Sequence, residues 1–136
     1  MKLELNRREK PYVFELENEN GTICKIDSSK DIGGKNKGLT PMELLAGALA
    51  ACISIDVLMI LNKQHIETKK YAVSVDASKK NSMPSPFEKI HLVFSIDAEI
   101  DLSKVERAIQ LSIDKYCSVK ASLSSKIDVT HQIITL

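Results

Sequence analysis

Residues 40–61 read TPMELLAGALAACISIDVLMIL, and this stretch decides the architecture. Thr40, Pro41 and Glu43 together spell a helix start. The hydroxyl can cap, the proline lacks an N–H only where none is needed, and the carboxylate can reach back to the cap. From Leu44 to Leu61 the only polar residues are Ser54 and Asp56. A helix apolar nearly all round either crosses a membrane or runs through a core. Its length just suffices for a bilayer. Asp56 in mid-segment and the strand-like, amphipathic flanks select the core. A long buried central helix is therefore expected.

Outward from this helix the pattern changes to alternation. Leu3, Leu5 and Arg7 share one side of residues 2–8, and Tyr12, Phe14 and Leu16 share one side of residues 12–17. Glu19-Asn20-Gly21 is a turn signal before a third strand, Thr22–Asp27. Residues 28–39, SSKDIGGKNKGL, are rich in glycine and charge and read as a mobile surface loop. Beyond the helix, residues 70–77 and 88–97 alternate again, with Ile90, Leu92, Phe94 and Ile96 inward. The Met83-Pro84-Ser85-Pro86 link between them cannot be helical. Asp101 caps an amphipathic helix whose stripe is Leu102, Val105, Ile109, Ile113 and Tyr116. A short helical piece at 117–123 and a strand at 126–135 complete the order βββ-α-ββ-α-α-β. That order is α+β with mainly antiparallel pairing, and residues 1–136 read as a single domain.

Composition narrows the function classes. The chain has 136 residues, 43% apolar and 27% charged, enough for one core without disulfide staples. Nineteen basic and 18 acidic residues leave a net charge of +1, so no global field draws nucleic acid or an anionic membrane. The absence of Trp and the 4% aromatic content argue against a base-stacking surface. The opening MKLELNRREK has no apolar signal-peptide core, so the cytoplasm is expected. His65, His91 and His131 are scattered without ligand spacing, and no phosphate-binding glycine motif or Gly-x-Ser-x-Gly elbow occurs, so neither metal nor cofactor is expected.

The three cysteines, 24, 52 and 117, are too few and too odd for a secreted disulfide framework. Cys52 follows the small residues Ala46-Gly47-Ala48-Leu49-Ala50-Ala51, which allow another backbone or a ligand to come close; it is a space filler or a reactive thiol. Asp56, one turn later, works against a thiolate unless a strand donor engages it. Cys117 stands where the short helix begins, with Lys115 and Lys120 nearby. Backbone N–H groups there favour a thiolate, the alternative being a half-buried junction residue. Cys24 in mid-strand reads as filler. Arg7, on the apolar side of its strand, needs an anion or a ligand if buried. If the strand ends by residue 6, Arg7 and Arg8 are both solvated.

Gly33-Gly34-Lys35-Asn36-Lys37-Gly38, then Thr40-Pro41-Met42-Glu43-Leu44-Leu45, then Ala50-Ala51-Cys52 resemble the OsmC/Ohr family of thiol peroxidases, in its YhfA-like branch. So do Lys115-Tyr116-Cys117-Ser118-Val119-Lys120-Ala121 and Ile127-Asp128-Val129-Thr130. The similarity extends over nearly the whole chain. It implies an OsmC-like fold assembled as an intertwined homodimer, with each site at the subunit interface. Cys52 would be the peroxidatic cysteine and Cys117 the resolving one. Arg7 would hold the thiolate and orient an organic hydroperoxide. An external dithiol, lipoyl groups in Ohr-type relatives, would reduce the disulfide. Two positions depart from the Ohr pattern. Met42 stands where a glutamate pairs with the arginine; Glu43, about 100° round the helix, is a cap first and a catalytic candidate second. Ser118 replaces the proline after the second cysteine. Two rival readings are a non-catalytic binding protein using the apolar interface pocket, and a thiol redox sensor.

Overall fold

Alternation at the start of the chain produces β1 (Leu3–Glu9), β2 (Val13–Asn18) and β3 (Ile23–Ile26), an antiparallel meander. The computed structural model describes residues 1–136 and divides them into two compact units, Met1–Leu45 and Ala46–Leu136. In the first unit, Leu5, Leu16 and Cys24 form one cross-strand row and Arg7, Phe14 and Ile26 the next. Directly opposed residues share a face, so the row is apolar apart from the guanidinium. The expected half-burial of the first strand is not found. Leu3 and Leu5 are 53% and 55% exposed, and Arg7 is exposed with them. A three-stranded meander has no second layer of its own with which to bury an edge strand. Arg8 sits at a register shift between Arg7 and Glu9 and pairs with Glu15 at 2.8 Å.

The segment 28–39 is not the loose loop expected. Asp27, 2% exposed, accepts backbone N–H bonds from Ser28 at 2.8 Å, Lys35 at 2.9 Å and Lys37 at 3.2 Å. Burial works to raise this carboxyl, but the three N–H bonds prevail and hold it below the usual carboxylate range. Glu9 receives the ammonium groups of Lys35, at 2.6 Å, and Lys37. Leu39 closes the segment by bridging to Ile26. Glycine and charge are read correctly as surface chemistry, yet one buried carboxylate turns the run into a clamped structure.

The second unit is built on β4 (Tyr71–Lys79), β5 (Phe87–Ile96) and β6 (Asp128–Thr135). β5 is central, antiparallel to β4 and parallel to β6. A parallel pair needs a long crossover. Here the crossover carries α2 (Leu102–Leu111), a π-helical turn (Ser112–Tyr116) and α3 (Ser118–Ser122). Ile90, Leu92, Phe94 and Ile96 of β5 are fully buried, and Phe94 meets Tyr71 and His131 edge to face.

The long helix α1 (Pro41–Lys63) crosses the boundary between the units without a break. Its capping box is formed as the residues dictate. Glu43 N–H donates to Thr40 Oγ1 at 3.3 Å, and Thr40 N–H donates to the Glu43 carboxylate at 2.7 Å. Leu49, Ile53, Val57 and Leu61 are fully buried at helical spacing. The expectation of burial all round is corrected, because the opposite stripe is open: Ile55 is 59% exposed and Met59 53%. By length and composition this helix could cross a membrane, but the chain's own packing already covers one of its sides.

Candidate functional site

Cys52 and Cys117 come together in the second unit, close enough for the Cys52 thiol to act on the Cys117 proton. Cys52 is half-buried on α1, and Cys117 is 3% exposed at the end of the π-helical turn. As its position in the sequence implies, Cys117 caps the short helix α3, its Sγ accepting the Lys120 N–H at 3.3 Å. Of the two readings of Cys117, the thiolate is not the one favoured. Burial, then the hydrogen bond to Cys52, push the Cys117 thiol up to about 11 from its ordinary 9.0. The N–H groups of Lys120 and Val119 act the other way and are outweighed. Cys117 thus keeps its proton at neutral pH.

This carries a pH consequence. The folded chain holds the Cys117 proton above the pH at which the unfolded chain releases it, so the thiol's stabilising contribution is complete below pH 9.0 and disappears as pH climbs towards about 11. The difference in unfolding midpoint between the protein and its Cys117→Ala variant should therefore shrink across that window. A difference constant from pH 8 to pH 11 would contradict it. Alkylation of Cys117 by iodoacetamide should quicken over the same range.

A third residue joins the pair. Ser112, fully buried, donates its hydroxyl to the Asp56 carboxylate at 2.6 Å. The donor that engages Asp56 is therefore no strand residue but the first residue of the π-helical turn. The apolar stripe read from the sequence passes over Ser112, which is polar though in phase with Val105 and Ile109, and runs on through Ile113 and Tyr116. The extra residue of a π turn rotates the next residues about the helix axis. Val105, Ala108, Ile109, Ser112 and Cys117 are buried instead, while Tyr116 is 58% exposed. The available signal is a serine three residues after Ile109 on an apolar face. Nearby, burial raises the Tyr71 phenol, with Ser54 as the polar group that opposes it.

The remaining candidates belong to the first unit. Arg7 lies exposed on β1 in the first unit. The Glu43 carboxylate is occupied by its cap. Cys24 stays half-buried in mid-strand, within 3.8 Å of the Lys25 carbonyl. No three His, Cys, Asp or Glu side chains come together as a metal site. Asp56, Met59, Ile60, Lys63, Gln64, Leu111 and Tyr116 line a groove of about 590 Å³.

The pattern of the OsmC-like protein family matches residues 34–132. The chain belongs to the OsmC-like family. Within it, the protein YhfA of Escherichia coli K12 is 32% identical over 97 residues, which are 71% of this chain and 72% of YhfA. A putative osmotic stress induced and detoxification response protein from Psychrobacter arcticus 273-4 has the same OsmC-like fold, with a TM-score of 0.89 at 16% identity, over 98% of this chain and 96% of that one. The organic hydroperoxide resistance protein OhrB of Bacillus subtilis superposes with a TM-score of 0.69 at 16% identity, over 98% of each chain. The OsmC-like fold is thus shared along the whole molecule, as α+β with a long central helix.

Proposed function

We propose that this OsmC-like protein is a Cys-dependent peroxidase for organic hydroperoxides. The observation that carries the reading is the proximity of Cys52 and Cys117, two thiols from separate elements of one unit. The Cys52 thiolate attacks the terminal peroxide oxygen, the O–O bond breaks, and the alcohol leaves with a proton. Cys52 becomes a sulfenic acid. The Cys117 thiol then displaces its hydroxyl, so that the Cys52–Cys117 disulfide forms and water leaves. An external dithiol returns the two electrons. Cys117, holding its proton until the sulfenic acid is in place, suits the resolving role. The resemblance to the OsmC/Ohr pattern makes Arg7 the candidate cation for holding the thiolate and orienting the peroxide. The open apolar stripe of α1, with Ile55 and Met59, supports a homodimer in which a second copy covers it. The fold relatives named for organic hydroperoxide resistance support the substrate class.

The test is a free-thiol count with intact mass before and after one equivalent of cumene hydroperoxide, hydrogen peroxide run in parallel. A fast drop from three thiols to one, with a Cys52–Cys117 peptide and the organic peroxide preferred, is expected. Three persisting thiols, or slow oxidation that includes Cys24, would turn the reading towards a binding protein. The groove along α1, apolar at Met59, Ile60 and Leu111 and polar at Asp56, Lys63 and Gln64, would then be the ligand site.

A further inference from the structure

Ser112 makes two bonds that lead to different parts of the second unit. Its hydroxyl reaches Asp56 on α1 at 2.6 Å. Its carbonyl accepts the Cys117 N–H at 2.8 Å, the five-residue span that closes the π-helical turn. Asp56 stands one turn after Cys52 on α1. The Cys52 thiol lies close enough to act on the Cys117 proton. The contacts close a ring: Cys52, a turn of helix, Asp56, Ser112, the π-helical turn, Cys117, and Cys52 again.

We propose that Asp56 and Ser112 are positioning residues that hold Cys117 within disulfide-forming range of Cys52. A π turn is a rare and weak way to end a helix, and it persists where something over-determines it. The buried Ser112 hydroxyl supplies that. Without Asp56 it would be an unpaired polar group in the core, so the turn is held where the bond can form. Disulfide geometry tolerates little error in backbone separation, and a small slide of the turn along α1 would lose it. The use of the device in turnover rests on the peroxidase reading; its effect on the thiol pair does not.

The two can be separated in a Cys24→Ser background. Protein is first equilibrated with reduced and oxidised dithiothreitol, where the protein dithiol gives two electrons and two protons to the cyclic disulfide. This needs no peroxide. Ser112→Ala should lower the equilibrium constant for the Cys52–Cys117 disulfide about tenfold, the scale of one lost hydrogen bond to a charged group. Asp56→Asn, which keeps the shape but weakens the acceptor, should fall between. Ser112→Thr, which keeps the hydroxyl, should stay within about twofold of the parent. In rapid mixing with cumene hydroperoxide, Ser112→Ala should lose its Cys52 thiol at the parent rate, form the disulfide about tenfold more slowly, and give more dimedone adduct. An unchanged equilibrium constant in Ser112→Ala overturns the proposal. So does an equal fall in Ser112→Ala and Ser112→Thr, which marks a space-filling role. If the parent forms the disulfide with dithiothreitol and the variants rank as stated, but no variant consumes peroxide, the positioning stands and the peroxidase reading fails.

Discussion

Cys52→Ser is expected to lower turnover of cumene hydroperoxide roughly 10⁴-fold or more, the scale on which a covalent nucleophile is lost. A hydroxyl at that place is neither ionised nor nucleophilic enough to break the O–O bond. Cys117→Ser should behave differently. Its Cys52 thiol should disappear at the parent rate in a single turnover, because attack on the peroxide precedes any step at Cys117. The sulfenic acid then has no partner within the unit. With excess peroxide it should pass to sulfinic and sulfonic forms, seen as stepwise mass gain on the Cys52 peptide. Steady-state peroxide consumption and peptide mass read both variants. Retained turnover in Cys52→Ser, or failure of Cys117→Ser to oxidise at all, removes the proposed order of events. Far-ultraviolet circular dichroism controls for folding. Half-buried Cys52 tolerates a change this small in shape.

The second large effect is in the other unit. A Cβ added at Gly34 would lie 1.8 Å from the Ser28 carbonyl oxygen and 2.8 Å from that of Ser29. Both obstacles are backbone, so no rotamer change relieves them. Gly34 N–H also donates to Ser29 O at 2.9 Å, which ties the two ends of the segment together. Gly34→Ala must therefore push the chain apart beside the buried Asp27 and break its bonds to Lys35 and Lys37. Overpacking that forces the backbone to move costs about 1–3 kcal/mol. Loss of amide protection at Lys35 and Lys37 should accompany it. Gly38, where a Cβ would stand 2.6 Å from Ile26 N, should respond in the same direction. Unfolding by denaturant and hydrogen exchange decide the matter; an unperturbed Gly34→Ala protein would show that the segment is not clamped as described.

These glycines show what can and cannot be read along the chain. Gly33-Gly34-Lys35-Asn36-Lys37-Gly38 is visible as a motif, but its glycines suggest mobility. In the structure they serve close backbone approach, around a carboxylate two of whose three N–H partners lie eight and ten residues away. Nothing local in Asp27 signals that role. The helical stripe after Asp101 is legible through Val105 and Ile109 and then fails. A single π turn shifts the phase, and periodicity assumes a constant one. The capping box at Thr40 and Glu43 is fully legible, since its two partners sit three residues apart. The same logic explains α1. Composition shows that it is apolar on all sides, but only packing shows which side the chain itself covers.

The sequence by itself determined the order of strands and helices, the start of α1, and the elements on which Cys52 and Cys117 would stand. These depend on spacings of two to four residues, which backbone geometry converts directly into strand, turn or helix. Tertiary structure alone decided that Cys52 comes near Cys117 and that Asp56 finds Ser112. It also decided that Cys117, capped by N–H groups at a helix start, keeps its proton. A helix terminus is a local feature and favours the thiolate, whereas burial and a neighbouring thiol arrive only when distant segments pack, and here they outweigh it.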